Sequence, residues 1–224
     1  MVNKIENSYL CCKNRLEVVE SYLSHEKNRA KNKGTADKVN NSTIICENWK
    51  DKIIGFLNSQ NPTKEFLKTM SIEDQWLLFH LVSYGIFNKK LYNCVGHPNF
   101  TWRFEEKLSI DKCKFESPIE RIPKGTIFKD ALVILRENNN SKDCYGNNDA
   151  NKDPIIGREE NGHILVHDGN GRLYKIAYDI VFNNSSIRTV SIFIGKELRG
   201  IKTNEKDKKI YEWAKENIFK DCLC

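Results

Sequence analysis

Hydrophobic residues recur with a helical rhythm in the first part of the chain. Leu16, Val19 and Leu23 are separated by three and four residues, a spacing that predicts a helix with one apolar face. The same rhythm returns between Ile44 and Leu57. The polar run from Lys27 to Asn41 interrupts it with charges and a glycine, so a solvated loop or a frayed helix end is expected there.

The clearest helix signal begins at Ser71. Its hydroxyl suits the N-cap position, Asp74 stands where a capping-box acid can sit, and a broad apolar run extends from Trp76 to Val82. A break at Ser-Tyr-Gly precedes a second short helix predicted over residues 87–95. A DNA-reading helix-turn-helix and an ordinary helical hairpin both fit this pattern.

In the second part of the chain the rhythm becomes strand-like. Arg121–Phe128 reads as an extended segment that turns at Pro-Lys-Gly, and Ala131–Leu135 fits either a buried strand or a short helix. Pro154–His167 predicts two strands joined at Glu-Asn-Gly, a tight-hairpin signal. Thr189–Ile194 predicts a final strand.

These rhythms predict an α+β chain. We expect a helical domain over residues 1–97, a small mixed-sheet domain over 98–200, and within 201–224 a C-terminal helix whose apolar stripe packs on the body of the protein. Residues 138–153 are a loop on composition, and a connection of this length is typical of a lid or of a disordered insertion.

Composition narrows the protein classes. The 224 residues with 39% hydrophobic content can bury a sizeable core, and a net charge of +6 suits phosphate-bearing ligands without demanding them. Eight scattered cysteines without an amino-terminal apolar segment favour reduced cytosolic thiols, and their spacing predicts no metal site. No apolar run approaches the roughly 20 residues that span a bilayer. We expect a cytoplasmic protein without a membrane partner; the oligomeric state is open.

The most informative segment is Asp168-Gly169-Asn170-Gly171-Arg172, which directly follows an apolar, strand-like run. Its meaning depends on residues 173–182, whose hydrophobic positions fit a helix face and a strand face equally well. A helix would place the glycines at a phosphate pocket. A strand would make them the tip of a hairpin without chemistry.

With a helix, each residue of this box has a candidate role. Free backbone N–H groups and the positive end of the helix dipole attract an anion, and Gly169 and Gly171 allow it to approach closely. Arg172 offers a planar fork to phosphate oxygens. Asp168 can hold a metal ion or orient a hydroxyl, and Asn170 can hydrogen-bond a ribose or a base.

The residues Asp153–Ala177 and Ser191–Gly195 resemble the core of the ParB/sulfiredoxin superfamily. That resemblance implies a strand, a Val-x-Asp-Gly-x-x-Arg box that opens a helix, and a later short strand. Its members bind nucleotide phosphates at the box and include chromosome-partition CTP switches, ATP-dependent sulfiredoxins, free-serine kinases and ParB-like nucleases. The resemblance therefore implies a nucleoside triphosphate with Mg²⁺ as cofactor, nucleic acid as a possible partner, and NTPase, kinase or nuclease activity.

Asp168, Gly169 and Arg172 match this box residue by residue. Asn170 stands where sulfiredoxins carry their reactive cysteine, which argues against thiol repair. Asn170 and Gly171 also replace the histidine-rich centre of the kinases and nucleases, so the resemblance favours binding over phosphoryl transfer. A catalytic acid from the first strand of this fold would be Glu120 or Glu116.

Two alternatives compete with this interpretation. Asp-Gly-Asn-Gly-Arg is also the centre of the Fic motif, whose catalytic histidine stands four residues before the acid; here that position is Ile164, and His163 and His167 flank it. His167 beside Asp168 has the near-neutral pKa range that suits a general base. The other alternative is a non-enzymatic binding protein of a phage, plasmid or toxin system.

Overall fold

A computed structural model of the chain describes residues 2–30, 34–41, 47–82, 100–139, 142–143, 153–197 and 209. The chain divides into two compact units, Met1–Phe100 together with Leu198–Cys224, and Thr101–Glu197. The described residues combine helices with a mixed sheet, in agreement with the predicted α+β class. In this part of the chain no helix has both the length and the apolar character to cross a bilayer.

The first unit is helical in its described part. Ser71 is the N-cap of the helix Ile72–Leu81, as predicted, and accepts a hydrogen bond from the Asp74 N–H at 3.1 Å. Tyr22 meets Phe79 edge to face, with the ring centroids 5.3 Å apart, which joins the helix Val2–Ala30 to the helix Ile72–Leu81. The helices are α1 (Val2–Ala30), α2 (Thr35–Asn40), α3 (Glu47–Asn58), α4 (Thr63–Lys68) and α5 (Ile72–Leu81).

The described part of the polar run from Lys27 to Asn41 is mostly helical and only partly solvated, which differs from the predicted loop and keeps the predicted helix end. Its described residues include the end of α1 and all of α2, and Val39 is fully buried. The Lys27 ammonium donates to the Asn61 carbonyl at 2.6 Å and lies over the Phe56 ring. A long lysine stem can cover apolar surface while its charged end finds an oxygen, so a lysine-rich sequence does not exclude burial.

The second unit is built on a five-stranded sheet in the order β1-β5-β3-β4-β2. Strand β2 runs parallel to β4, β5 runs parallel to β3, and β3 and β4 form an antiparallel hairpin. Its elements are β1 (Phe100–Ser109), a 3-10 turn (Ile110–Lys112), β2 (Cys113–Phe115), α6 (Phe128–Glu137), β3 (Ile155–Glu160), β4 (His163–Asp168), α7 (Asn170–Phe182) and β5 (Thr189–Glu197).

Several sequence-based expectations for this unit are confirmed. Asn161 and Gly162, with φ of 49° and 80°, form the tight turn between β3 and β4, and Thr189 begins the last strand. The segment Ala131–Leu135 lies within helix α6. The ambiguous residues 173–182 are helical, which removes the hairpin-tip interpretation of the glycine box.

The core of this unit lies between the sheet and helices α6 and α7. Tyr174 and Lys175 also attach part of the long connection to α7, because the Tyr174 hydroxyl donates to the Lys142 carbonyl and the Lys175 ammonium contacts Asp143. The predicted helix at 87–95, the C-terminal helix and most of the long connection lie outside the described residues. Core side chains include Leu108, Phe115, Phe128, Leu135, Ile155, Val166, Leu173, Ile176 and Ile192.

Gly195 gives a direct test of sheet packing. A β-carbon at this position would lie 2.8 Å from a ring carbon of Trp102, and Trp102 is buried. We therefore expect Gly195→Ala to lower the free energy of unfolding by about 1–3 kcal/mol in urea denaturation, the usual cost of overpacking. In the matched control Gly55→Ala, an exposed helical site with nothing within 4 Å, stability should rise. Equal stability of Gly195→Ala and the unaltered protein would contradict the packing.

Candidate functional site

The junction between β4 and α7 depends on a glycine in the left-handed region. Gly169 has φ of 102° and stands at the N-cap of α7. A β-carbon there would lie 3.0 Å from an Ile155 side-chain carbon and 3.1 Å from a guanidinium nitrogen of Arg172. Only glycine tolerates both the backbone angle and the close side chains. The strand can therefore pass into the helix without an intervening loop.

Asp168 and Arg172 form a buried ion pair at this junction. Their side chains are 5% and 10% exposed, and the guanidinium lies 2.9 Å from the carboxylate. The same guanidinium donates to the carbonyls of Asp153 and Pro154, just before β3. The Arg172 guanidinium, which the sequence predicts as a phosphate ligand, is thus bonded to oxygen atoms of the protein itself. Arg172 and Asp168 hold the end of β4, the start of β3 and α7 together.

The backbone at the start of α7 is oriented for an anion. The first bond of the helix runs from the Leu173 N–H to the Gly169 carbonyl at 2.9 Å, so the N–H groups of Asn170, Gly171 and Arg172 precede the helical ladder. Among the described residues, no side chain caps this helix start. The positive end of the helix dipole is located at the same place.

Asn170 is buried, and its side chain bonds to the backbone on both sides. Its Oδ1 accepts a hydrogen bond from the Glu116 N–H at 3.1 Å, and its Nδ2 donates to the Val166 carbonyl at 2.8 Å. The sequence predicts this amide as a ligand for a ribose or a base. The structure instead shows it joining the end of β2, the strand β4 and the helix α7.

His167 pairs with Glu116. The His167 Nδ1 lies 2.8 Å from a Glu116 carboxylate oxygen, and the two side chains are 6% and 33% exposed. The pair follows from the register of β2 and β4: Phe115 is opposite Val166, so Glu116, just beyond β2, comes alongside His167. His167 and Asp168 are consecutive in a strand, so their side chains point to opposite faces. The predicted neighbours, His167 and Asp168, thus have different partners.

The other predicted candidates lie away from this pair. Glu120 is exposed and occupies a turn with φ of 49°, bounded by the bridged residues Ile119 and Ile122. Of the two acids that the sequence offers, the one at the site is Glu116. His163 begins β4, at the opposite end of the strand from His167.

Within the described ranges, no group of three or more His, Cys, Asp or Glu side chains is placed to hold a metal ion.

The electrostatic surroundings of Glu116 favour its charged form. Burial pushes the pKa of Glu116 upward, but the hydrogen bond from His167 and the charges of His167, Arg158 and Lys124 outweigh it, so the net pKa lies below its usual value. Cys113, at the start of β2, is not a candidate nucleophile. Burial, with a smaller effect of the Asp111 charge, raises the pKa of its thiol to about 12, so the thiol stays protonated at neutral pH.

Comparisons with protein-family models, with curated proteins and with solved structures give no match. The observations that bear on function are the β4–α7 junction with its glycine and uncapped helix start, and the Glu116–His167 pair.

The Asp168–Arg172 pair should dominate local stability. Arg172→Ala leaves a carboxylate buried and two carbonyls without their donor, so we expect a loss of about 3–5 kcal/mol in the free energy of unfolding. Arg103→Ala is the control, because Arg103 is 48% exposed in its ion pair with Glu159 and should lose no more than about 1 kcal/mol. Similar losses in urea denaturation for both variants would contradict a structural role for the buried pair.

Glu116 should contribute a pH-dependent part of the stability. Because its pKa is lowered on folding, its contribution is fully present above the unfolded value near 4.5 and is lost as the pH falls towards the folded value. We therefore expect the stability difference between the unaltered protein and Glu116→Gln to shrink as the pH is lowered through this range. Urea denaturation at a series of pH values measures it. A difference that grows towards acid pH would contradict the lowered pKa.

Proposed function

We propose that the second unit binds a phosphate group of a nucleotide or a nucleic acid at the start of α7. The observation that carries this proposal is the uncapped helix start that follows Gly169 at the end of β4. Three N–H groups, the helix dipole and a glycine that permits close approach are the elements of a phosphate site. The net charge of +6 favours association with such polyanionic ligands.

The order of elements supports a ParB-like domain. A strand precedes the box, α7 begins within it, and a later strand, β5, follows, which is the order that the resemblance to the ParB/sulfiredoxin superfamily implies. The side chains depart from that model, because Arg172 and Asn170 bond to the protein itself. In our proposal the phosphate therefore contacts backbone N–H groups, and Mg²⁺ accompanies the phosphates of the nucleotide.

The pair of Glu116 and His167 supports phosphoryl transfer or phosphodiester hydrolysis as the reaction class. A carboxylate that is hydrogen-bonded to one ring nitrogen orients an imidazole and increases its basicity. His167, whose Nδ1 contacts Glu116, would therefore exchange protons through Nε2. The Fic alternative receives less support. Residues 163–168 form a strand, whereas the Fic histidine is found at a helix end.

Nucleotide-dependent stabilisation tests the binding. ATP, CTP, GTP and NAD, with and without Mg²⁺, should each be added to the full chain, and a ligand at 100 times its Kd raises the stability by about 2.7 kcal/mol. Gly171→Asp places a carboxylate in the first turn of α7, where it suits the dipole but competes with an anion. We expect this variant to remain folded and to lose the nucleotide-dependent shift in melting temperature.

Ser186→Asp is the matched control, since it makes the same charge change at an exposed residue beyond the other end of α7. It should keep the shift. No stabilisation by any of the four nucleotides, or equal stabilisation of Gly171→Asp and the unaltered protein, would reject binding at this helix start.

His167→Gln separates binding from chemistry. The variant keeps a polar side chain at the pair but cannot exchange a proton at neutral pH. For a nucleotide that the protein turns over, release of phosphate should fall by about 10²–10⁴-fold, while the nucleotide-dependent thermal shift persists. Unchanged turnover in His167→Gln would exclude the histidine from the reaction.

A further inference from the structure

Strand β2 is short, and its pairing with β4 ends where the candidate pair begins. The parallel register covers Cys113, Lys114 and Phe115, opposite Ile164, Leu165 and Val166. Glu116 is the first residue beyond this ladder, and the carbonyl of the peptide group that joins it to Phe115 accepts from the Gly125 N–H at 2.8 Å. Its carboxylate lies 2.8 Å from the His167 ring, and its N–H makes a further contact outside the ladder.

The side chain of Asn170 supplies that contact. Its amide lies between the two chains as an additional peptide group would, accepting from the Glu116 N–H and donating to the Val166 carbonyl, which adjoins His167. Asn170 is 8% exposed, so both bonds are shielded from water. Because Asn170 is also the first residue of α7, the same side chain links the pair to the proposed phosphate site.

Charges from three directions act on Glu116. His167 approaches from β4, Arg158 from β3 and Lys124 from the turn before α6. Arg158 forms an ion pair with Glu160 at 3.0 Å and acts on Glu116 through its charge. The position of the Glu116 carboxylate relative to these cations decides how strongly its charged form is favoured.

We infer that Asn170 is a positioning residue, whose buried amide holds Glu116 and His167 in the arrangement that proton exchange with a bound phosphate ester requires. The identity of the substrate rests on the proposed function; the geometry of the pair does not. The side chain of Asn170 acts through Glu116 and His167, whereas only its backbone N–H belongs to the proposed phosphate site.

Side-chain titration by NMR tests this inference in the full chain without any phosphate. The pKa of the Glu116 carboxyl should be low in the unaltered protein and should rise towards its ordinary value in His167→Gln, which removes the charged partner. Asn170→Ala should move it in the same direction, because the carboxylate is no longer held against the ring. A folded Asn170→Ala variant in which Glu116 titrates as in the unaltered protein would overturn the inference.

Asn138→Ala is the matched control. The Asn138 amide also donates to a backbone carbonyl, that of Ile134, at 2.7 Å, and its oxygen accepts from Arg121. This variant should lose stability but leave the titration of Glu116 unchanged. An equal effect of Asn138→Ala on Glu116 would show a general loosening of the fold and would also overturn the inference.

Asn170→Ser decides the question if Asn170→Ala does not fold. A serine hydroxyl is one bond shorter than the asparagine amide and does not reproduce its two bonds to Glu116 and Val166, so a rise in the Glu116 pKa is expected here too, and no rise in a folded protein overturns the inference. The two proposals fail separately. A shifted titration without nucleotide stabilisation rejects the phosphate site alone, and stabilisation with an unshifted titration rejects the role of Asn170 alone.

Discussion

The burial of two opposite charges at one strand end is the constraint on which the second unit depends. Asp168 and Arg172 lie in the interior because they pair with each other and because Nη1 of the guanidinium donates to the two carbonyls before β3. These contacts favour Gly169, since its φ of 102° strains any other residue and a β-carbon there would crowd the guanidinium at 3.1 Å. The sharp passage from β4 into α7, and with it the orientation of the helix start, follows from this arrangement.

Local sequence patterns predict the elements better than the contacts between them. The Asn-Gly hairpin, the Ser71 cap and β5 are visible because each depends on a few adjacent residues. Strand β1 had a usable signal, the alternation of Phe100, Trp102 and Phe104, but our sequence-based assignment did not include it. Residues 173–182 fit two periods equally well, and tertiary burial of one face decides for the helix.

At the candidate site, too, the sequence predicts the local motif but not the contacts of its side chains. The sequence identifies the Asp-Gly-Asn-Gly-Arg box, and chemistry assigns sensible roles to its residues, yet the partners of those side chains depend on long-range geometry. Glu116 and His167 are 51 positions apart and meet only because β2 pairs in parallel with β4. Parallel pairing leaves no short-range signal, so no local pattern distinguishes Glu116 from Glu120. The same limit applies to Arg172, whose fork fits backbone carbonyls as well as phosphate oxygens.

The buried ion pair makes conservation of this motif a matter of fold stability. Selection for a folded protein is enough to retain the aspartate, the first glycine and the arginine of the box, whether or not a ligand is bound there. Among the contacts described, Gly171 contributes none of this stabilisation, because the ion pair and the side-chain hydrogen bonds at this junction are made by Asp168, Asn170 and Arg172. Variation at Gly171 among related chains would therefore report on ligand binding, whereas invariance at Asp168 and Arg172 would report on stability.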